Sequence, residues 1–339
     1  MIETTSAPVP LTKKDFVSDV QVKWCPGCGD YSILAALQSV MPKLGIPKEN
    51  FAIISGIGCS SRFPYYMNTY GFHTIHGRAM AVATGVKAAN PDLQVWVITG
   101  DGDGLSIGGN HLLHTLRRNV DLKVILFNNE IYGLTKGQYS PTSNLGLKTK
   151  TSPMGSVERP LSPVSIALAA GAGFVARTVD NDIKHLSATL EAAAKFKGTA
   201  FVEVLQNCVI FNDATHAGFA APDVRKEKVL YLEDGKPLTY AEGRKGLFAK
   251  GYAIDARDIG ESEAEQVLMH SVTEETGTLA WTLSQFDFPE KPVPLGVFRA
   301  VERPTFNELM DSQMAEARAK KGNGDLNKLL HSGFTWKID

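Results

Sequence analysis

The sequence contains no long apolar run and no excess of charge of either sign. No stretch approaches the roughly 18 apolar residues of a membrane-spanning helix, so we expect no membrane partner. The chain carries 35 Lys and Arg against 36 Asp and Glu, so no basic field is available to hold a nucleic-acid backbone. The N-terminal segment lacks the apolar core of a signal peptide. We therefore expect a cytoplasmic protein that binds neither nucleic acid nor membrane.

Cysteine is scarce, with four in 339 residues. In a reducing compartment these thiols are not interpreted first as disulfides. The remaining composition, 43% hydrophobic and 21% charged, is typical of a globular protein. A chain of this length predicts about two structural units and a core large enough to bury a cofactor.

Short apolar segments alternate with helical segments between residues 50 and 206. The predicted strands are 51–54, 93–99, 122–127, 174–179 and 200–205. The predicted helices are 79–89, 110–118, 164–170 and 183–196. This alternation predicts an α/β fold, a mostly parallel sheet with helices on both faces. Residues 130–160 lack periodicity and predict a long functional loop.

The composition divides the chain into three regions. Residues 1–20 are polar and predict an N-terminal arm, and residues 21–210 form the α/β domain. Residues 211–339 are more charged and show no buried-strand pattern, only short helices near 262–271 and 306–320. We expect this last region to be a C-terminal extension that packs on the core and on a partner subunit.

The four cysteines stand at positions that a parallel sheet would bring together. Cys25 and Cys28 form a Cys-Pro-Gly-Cys pair, Cys59 follows the first strand, and Cys208 follows the last. Strand ends at one edge of a parallel sheet converge. Four thiolates suit an iron–sulfur cluster or zinc. The spacing also allows inert thiols at Cys59 and Cys208 beside a redox pair.

A second pattern predicts a magnesium-held diphosphate. Asp101, within Gly-Asp-Gly, ends one strand, and Asn129 ends the next, 28 positions later. One crossover helix and one strand fit that distance, so both side chains reach the same sheet edge. Carboxylate and amide oxygens suit magnesium, and glycines let a backbone approach phosphate. A nicotinamide site fits worse, because no Gly-x-Gly-x-x-Gly follows the first strand.

Taken together, these motifs resemble the β subunit of 2-oxoacid:ferredoxin oxidoreductases. They occur in the family's order across about residues 20–215. They are Trp24-Cys25-Pro26-Gly27-Cys28-Gly29-Asp30, Gly56-Ile57-Gly58-Cys59-Ser60, His76-Gly77-Arg78-Ala79, Gly100-Asp101-Gly102-Asp103-Gly104 and Asn128-Asn129-Glu130-Ile131-Tyr132-Gly133-Leu134-Thr135-Lys136-Gly137-Gln138. The segment Ile107-Gly108-Gly109-Asn110-His111, with Arg117-Arg118-Asn119 after it, is more similar to the 2-oxoglutarate branch than to the pyruvate branch.

The resemblance implies three bound groups. It assigns Cys25, Cys28, Cys59 and Cys208 to one 4Fe–4S cluster, and Asp101, Asn129 and the Ile131 carbonyl to magnesium. It assigns the contacts to thiamine diphosphate to Ile57, Gly58, Cys59, Ser60, His76, Gly102, Asp103, Gly133 and Leu134. It also implies oxidative decarboxylation of a 2-oxoacid to the acyl-CoA, with coenzyme A as co-substrate and ferredoxin as electron acceptor. An α subunit would supply the carboxylate that activates thiamine diphosphate.

Two residues in these motifs are candidates for direct catalytic roles. His76 suits a diphosphate or substrate contact, although a histidine in such a loop is often structural. Lys136 could pair with a substrate carboxylate or could be a solvated loop lysine. Two other classes of function remain open at this point. One is a non-redox thiamine diphosphate decarboxylase or synthase subunit with structural cysteines, and the other is a zinc scaffold without catalysis.

Overall fold

The computed structural model describes residues 10–251 and 253–338. Residues 1–9 of the predicted N-terminal arm lie outside the described residues. The α-helices are α1 (Asp30–Val40), α2 (Ala79–Ala89), α3 (Asp101–Leu105), α4 (Gly109–Arg118), α5 (Pro163–Ala169), α6 (Ile183–Lys195), α7 (Ala217–Ala220), α8 (Pro222–Lys228), α9 (Thr278–Ser284), α10 (Phe306–Lys321) and α11 (Leu326–Leu330). Short 3₁₀ turns occur at Lys13–Phe16, Met41–Leu44, Lys48–Asn50, Ser60–Tyr66 and Ala264–Gln266.

The described strands form two sheets. The strands are β1 (Phe51–Ser55), β2 (Tyr70–His73), β3 (Gln94–Gly100), β4 (Lys123–Asn128), β5 (Phe174–Val179), β6 (Ala200–Leu205), β7 (Val229–Leu232), β8 (Thr239–Tyr240), β9 (Lys245–Lys250), β10 (Ala253–Asp258) and β11 (Val293–Ala300). The larger sheet has the order β2-β1-β3-β4-β6-β5-β11-β7, and only its β5–β11 pair is antiparallel. The smaller sheet, β10-β9-β8, is antiparallel. The prediction of a mostly parallel α/β sheet is therefore confirmed.

Helices cover both faces of the large sheet, because successive strand residues point to opposite sides. Ile53 of β1 packs with α1 and α6 in one core cluster. Its neighbours Ala52 and Ile54 pack with α2, α4 and α5 in the other. The described part of the predicted arm joins the first cluster, where the fully buried Phe16 meets Phe51 edge to face at 5.6 Å between ring centroids.

The predicted elements between residues 50 and 206 agree with the structure to within one residue at each end. Three strands, β1, β3 and β4, are neighbours in the sheet, so their carboxyl ends lie at the same edge. The composition Gly-Asp-Gly-Asp-Gly at residues 100–104 predicts a turn. This prediction is wrong, because Asp101–Leu105 forms α3. Acidic residues in a first helical turn favour this, because they face the positive end of the helix dipole.

The prediction that no buried strand follows residue 211 is wrong. The strands β7 and β11 join the large sheet, where β11 pairs in parallel with β7 and antiparallel with β5. Leu230 and Leu295 are fully buried there. The helix expected near 262–271 is also absent from the described residues, which form one 3₁₀ turn at Ala264–Gln266. The helix expected near 306–320 is confirmed as α10.

No helix in the described part of the chain is both long enough and apolar enough to span a bilayer. The longest, α10, has 16 residues and begins with a capping box. In this box, the Thr305 hydroxyl accepts a hydrogen bond from the Glu308 backbone N–H, and the Glu308 carboxylate accepts one from the Thr305 backbone N–H.

Candidate functional site

Four loops at the carboxyl edge of the large sheet border one cleft. They follow β1, β2, β3 and β4, where parallel α/β sheets place ligand sites. The cleft contains about 520 Å³ of space outside the protein atoms. All nine predicted thiamine diphosphate contacts and all three predicted magnesium ligands line it. The full lining is Ile57, Gly58, Cys59, Ser60, His76, Gly100, Asp101, Gly102, Asp103, Phe127, Asn129, Ile131, Tyr132, Gly133, Leu134 and Thr135.

Asp103 ties the loops of the cleft together. Its buried Oδ1 accepts hydrogen bonds from the backbone N–H groups of Ile57 (3.0 Å) and Gly77 (2.7 Å). Its Oδ2 accepts one from the Thr99 hydroxyl at 2.6 Å. His76 approaches from the side, with Nδ1 3.0 Å from Asp103 Oδ1. The carboxylate therefore holds the loop after β1 against the loop that carries His76.

Asp101 lies beside Asp103 on α3 and is also buried. Its Oδ2 accepts hydrogen bonds from the hydroxyls of Ser140 (2.5 Å) and Thr142 (2.6 Å). Burial raises the pKa of this carboxyl to about 6, although both hydroxyls act in the opposite direction. A divalent cation beside the carboxylate would offset the cost of burying its charge, so the residue suits magnesium.

Asn129 and Ile131 supply the neutral part of the predicted magnesium set. Asn129 Oδ1 accepts a hydrogen bond from the Ile131 backbone N–H at 3.2 Å, which forms an Asx turn. Asn129 Nδ2 donates to Gln206 Oε1 at 2.9 Å. Asn129 and Ile131 both line the same cleft as Asp101. An amide oxygen, a carbonyl and a carboxylate are hard donors of the kind that magnesium prefers, so this set fits.

Glycine is required where Tyr132 covers α3. A Cβ atom on Gly102 would lie 2.1 Å from Tyr132 Cε1, a distance that real Cβ contacts do not show. The Tyr132 hydroxyl donates to the Gly102 carbonyl at 3.0 Å. The aromatic ring therefore lies directly on the glycine backbone.

The four cysteines lie on loops that meet beside the cleft, and none forms a disulfide. The Cys28 backbone N–H donates to the Cys25 carbonyl at 3.1 Å, which makes a tight turn. A Cβ atom on Gly133 would lie 3.6 Å from Sγ of both Cys59 and Cys208. Cys59 also lines the cleft, so the thiols adjoin the predicted diphosphate site.

Two of the thiols, Cys28 and Cys59, lie in a largely buried and negatively charged environment. Burial, and then the carboxylate of Asp30, raises the pKa of Cys59 to about 12. The same causes raise the pKa of Cys28 well above its ordinary value. The nearby sulfurs of Cys208 and Cys59 add to the rise in the pKa of Cys28. Thiolates at this place need a positively charged partner, which an iron centre supplies.

Within residues 10–251 and 253–338, no three His, Cys, Asp or Glu side chains are placed to hold a single metal ion. The predicted magnesium set contains one such side chain, Asp101, so it does not form a group of this kind. The four thiols likewise do not form a group of this kind.

Lys136 lies outside the cleft lining. It is exposed, its φ of 77° is in the left-handed region, and its backbone N–H donates to the Gly133 carbonyl at 3.0 Å. The loop therefore turns at this residue. His76, the other candidate for a direct catalytic role, is part of the lining.

Three further residues of the site were not predicted from the sequence: Ser140, Thr142 and Gln206. The two hydroxyls lie in the 130–160 loop, which was expected to be functional but offered no spacing from which to select them. Gln206 directly follows β6 and is adjacent to Asn207-Cys208. Its position at a strand end next to a candidate ligand was the signal that could have identified it.

Comparison with known proteins places the site in a defined class. Residues 56–204 match the family described as thiamine pyrophosphate enzyme, C-terminal TPP binding domain. The 2-oxoglutarate oxidoreductase subunit KorB of Mycobacterium tuberculosis is 47% identical over 99% of this chain and 92% of its own length. The 2-oxoglutarate synthase subunit KorB of Methanocaldococcus jannaschii is 40% identical over 65% of this chain and 82% of its own.

A solved structure agrees with these relatives. It is 2-oxoglutarate:ferredoxin oxidoreductase from Magnetococcus marinus with 2-oxoglutarate, coenzyme A and succinyl-CoA bound. It is 34% identical to this chain, with a TM-score of 0.75 over 96% of this chain and 97% of that one. The fold and cleft are thus those of a thiamine diphosphate enzyme. Within that class, the chain belongs to the β subunits of 2-oxoacid:ferredoxin oxidoreductases, and the predicted family is confirmed.

Proposed function

We propose that this chain is the cofactor-binding β subunit of a cytoplasmic enzyme that converts 2-oxoglutarate and coenzyme A into succinyl-CoA and CO₂. Two electrons and one proton are released, and two ferredoxins accept the electrons one at a time. The observation that supports this best is the cleft itself, which brings together the twelve predicted diphosphate and magnesium residues. The sulfurs of Cys59 and Cys208 lie beside Gly133 at its wall.

Each part of the cleft has a separate task in this proposal. Thiamine diphosphate, when bound, supplies the electron sink for decarboxylation. Asp101, Asn129 and the Ile131 carbonyl would hold magnesium against its diphosphate, and the glycine-rich loops let their backbone approach the phosphate oxygens. The contact with Asp103 orients the His76 ring with Nδ1 toward the carboxylate, which leaves Nε2 available to a ligand.

The four cysteines would hold one 4Fe–4S cluster as the first electron acceptor. Cys59 belongs to both parts of the site, because it lines the cleft and presents its sulfur next to Cys208. A cluster held by these residues would therefore adjoin the diphosphate site and could accept electrons from thiamine diphosphate. Cys25 is the exposed member of the set, so ferredoxin would approach the cluster from its side.

We infer that an α subunit completes the cleft. The edge strand β2 and its surroundings expose large apolar side chains, with Tyr70 68%, Phe72 56% and Ile75 69% exposed. A patch of this kind marks an interaction surface. It lies on the sheet edge next to β1, whose loop enters the cleft. The partner would bring the carboxylate that activates thiamine diphosphate and most contacts to coenzyme A.

The test is anaerobic reduction of ferredoxin or a viologen by the purified chain, with and without its α subunit. We expect turnover with 2-oxoglutarate and coenzyme A only when both subunits are present. Turnover by this chain alone would refute the two-subunit assignment. Faster turnover with pyruvate would assign the enzyme to the pyruvate branch, and CO₂ release without viologen reduction would indicate a non-redox decarboxylase.

A further inference from the structure

A buried amide, Gln206, lies between the predicted magnesium residues and the predicted cluster ligands. Its side chain is 1% exposed. Its Oε1 accepts a hydrogen bond from Asn129 Nδ2 at 2.9 Å. Its Nε2 donates to Cys28 Sγ at 3.4 Å and to the Asn207 carbonyl at 2.5 Å. A single side chain therefore contacts both halves of the site.

Two backbone groups determine which way this amide points. The Ile131 N–H donates to Asn129 Oδ1, so Asn129 must turn its Nδ2 toward Gln206. Gln206 must then offer its oxygen to Asn129, and the Asn207 carbonyl requires an N–H donor on the opposite side. Reversing either amide would place two donors or two acceptors against each other. The N–H that faces Cys28 is thus set by the chain of hydrogen bonds.

The backbone next to Cys28 leaves room for this contact. A Cβ atom on Gly29 would lie 3.0 Å from Gln206 Cγ and 1.8 Å from Asp180 Oδ2. Gly29 also donates its backbone N–H to the Asn207 carbonyl at 3.2 Å, which joins the Cys28 loop to the end of β6. A side chain at position 29 would clash with the Asp180 carboxylate and would press on Gln206.

We propose that Gln206 is a positioning residue that serves both bound groups, an inference that rests on the proposed function. Through Asn129 it orients the amide oxygen offered to magnesium. Through Cys28 it donates a hydrogen bond to a cluster thiolate. Such a bond stabilises the reduced, more negative cluster and so raises its reduction potential. Hydrogen bonds to ligands commonly tune a metal site in this way.

Two substitutions separate these roles from simple packing. Gln206→Met keeps the volume and removes both contacts. Gln206→Glu keeps an oxygen for Asn129 but places an oxygen, instead of an N–H, toward Cys28. Gln38→Met is the matched control, because Gln38 is a buried amide that donates to the Tyr66 carbonyl, away from the cleft. All variants are prepared anaerobically with the α subunit.

Two quantities are measured. The first is the affinity for thiamine diphosphate in the presence of magnesium. The second is the reduction potential of the cluster, from a potentiometric titration monitored by electron paramagnetic resonance. For Gln206→Met we expect affinity to fall about tenfold, as for other outer partners of metal ligands. We also expect a more negative cluster potential, where a tenfold change in the one-electron equilibrium corresponds to ~59 mV. For Gln206→Glu at pH 9, with the new carboxyl ionised, only the potential should become more negative.

The outcomes distinguish this inference from the proposed function. Fully iron-loaded variants with wild-type potential and affinity would overturn the inference alone. An equal loss of affinity in Gln206→Glu and Gln206→Met would overturn the role through Asn129, because the glutamate retains the accepting oxygen. Gln206→Glu gives a result even where Gln206→Met does not fold. A wild-type enzyme without iron would overturn the proposed function, and this inference with it.

Discussion

The two halves of the cleft differ in how far the protein alone satisfies their charges. In the half that contains the predicted magnesium ligands, Asp101 accepts hydrogen bonds from the hydroxyls of Ser140 and Thr142, and Asp103 accepts them from backbone N–H groups. In the cysteine half, burial and the Asp30 carboxylate disfavour the thiolates of Cys28 and Cys59. The carboxylates of the first half are therefore held in place before a ligand binds. The cysteines of the second half need a positively charged centre beside them before they are stable as thiolates.

Removing a cysteine should therefore have the largest effect. Cys208→Ser takes one of the two sulfurs that meet beside Gly133. We expect the cluster to be lost or distorted and electron transfer to ferredoxin to fail. The measurement is iron content of the anaerobically purified chain together with ferredoxin reduction. Ile210→Ser, on the exposed part of the same loop, should keep its iron. Unchanged iron and activity in Cys208→Ser would remove this residue from the ligand set.

Asp101→Ala should affect the other half alone. The substitution removes the one charged magnesium ligand predicted in this chain, so the diphosphate charge is poorly compensated. We expect the affinity for thiamine diphosphate to fall at least about tenfold, ~1.4 kcal/mol. Calorimetric titration of the enzyme with its α subunit measures this, with exposed Asp92→Ala as control. Iron content should stay at the wild-type level, and equal cofactor affinity would contradict the assignment.

Gly102→Ala tests the packing of Tyr132 on α3. The new methyl group meets the Tyr132 ring at 2.1 Å, so the ring or α3 must move. We expect the free energy of unfolding to fall by about 1–3 kcal/mol, the usual cost of overpacking. Gly85→Ala lies in α2 with no neighbouring atom within 4 Å and should instead raise it by up to about 1 kcal/mol. Denaturant titration distinguishes the two, and equal stability changes would refute the contact.

The smallest expected effect concerns Glu130, whose pKa burial raises to about 7. The contribution of this carboxyl to the free energy of unfolding is fully present below 4.5, its pKa in the unfolded chain. That contribution is lost as the pH rises through about 7, its pKa in the folded chain. In magnesium-free chain, Glu130→Gln should thus raise Tm by about 2 °C or more at pH 8 and change it little at pH 5. Exposed Glu158→Gln is the control. A Tm shift that is the same at both pH values would exclude a titrating Glu130.

The sequence predicted the strands that carry the site but not all the strands of the sheet. β1, β3 and β4 are buried on both faces, so they are continuous apolar runs. β2 has an exposed Tyr-Gly-Phe-His sequence and lacks that signal. β11 contains Pro294 and Gly296, two residues that argue against a strand. It forms because β5 and β7 pair with it, which no local pattern reveals.

The same distinction applies within the site. Asp101 and Asn129 were predictable, because each stands at a strand end at a spacing that one crossover explains. Ser140 and Thr142 were not, since they reach Asp101 from a loop without periodicity. Gln206 joins Asn129 to Cys28 across 77 and 178 positions of sequence. Contacts of this range depend on the folded sheet rather than on residue spacing.

Iron and acid-labile sulfide analysis of the anaerobically purified chain tests the cysteine half most directly. We expect about four irons and about four sulfides per chain, with broad absorption near ~400 nm. Cys208→Ser should lower both in parallel, whereas Asp101→Ala should leave both unchanged. A colourless chain that contains one zinc ion and no sulfide would show that the four thiols form a structural metal site, and the electron path proposed above would not exist.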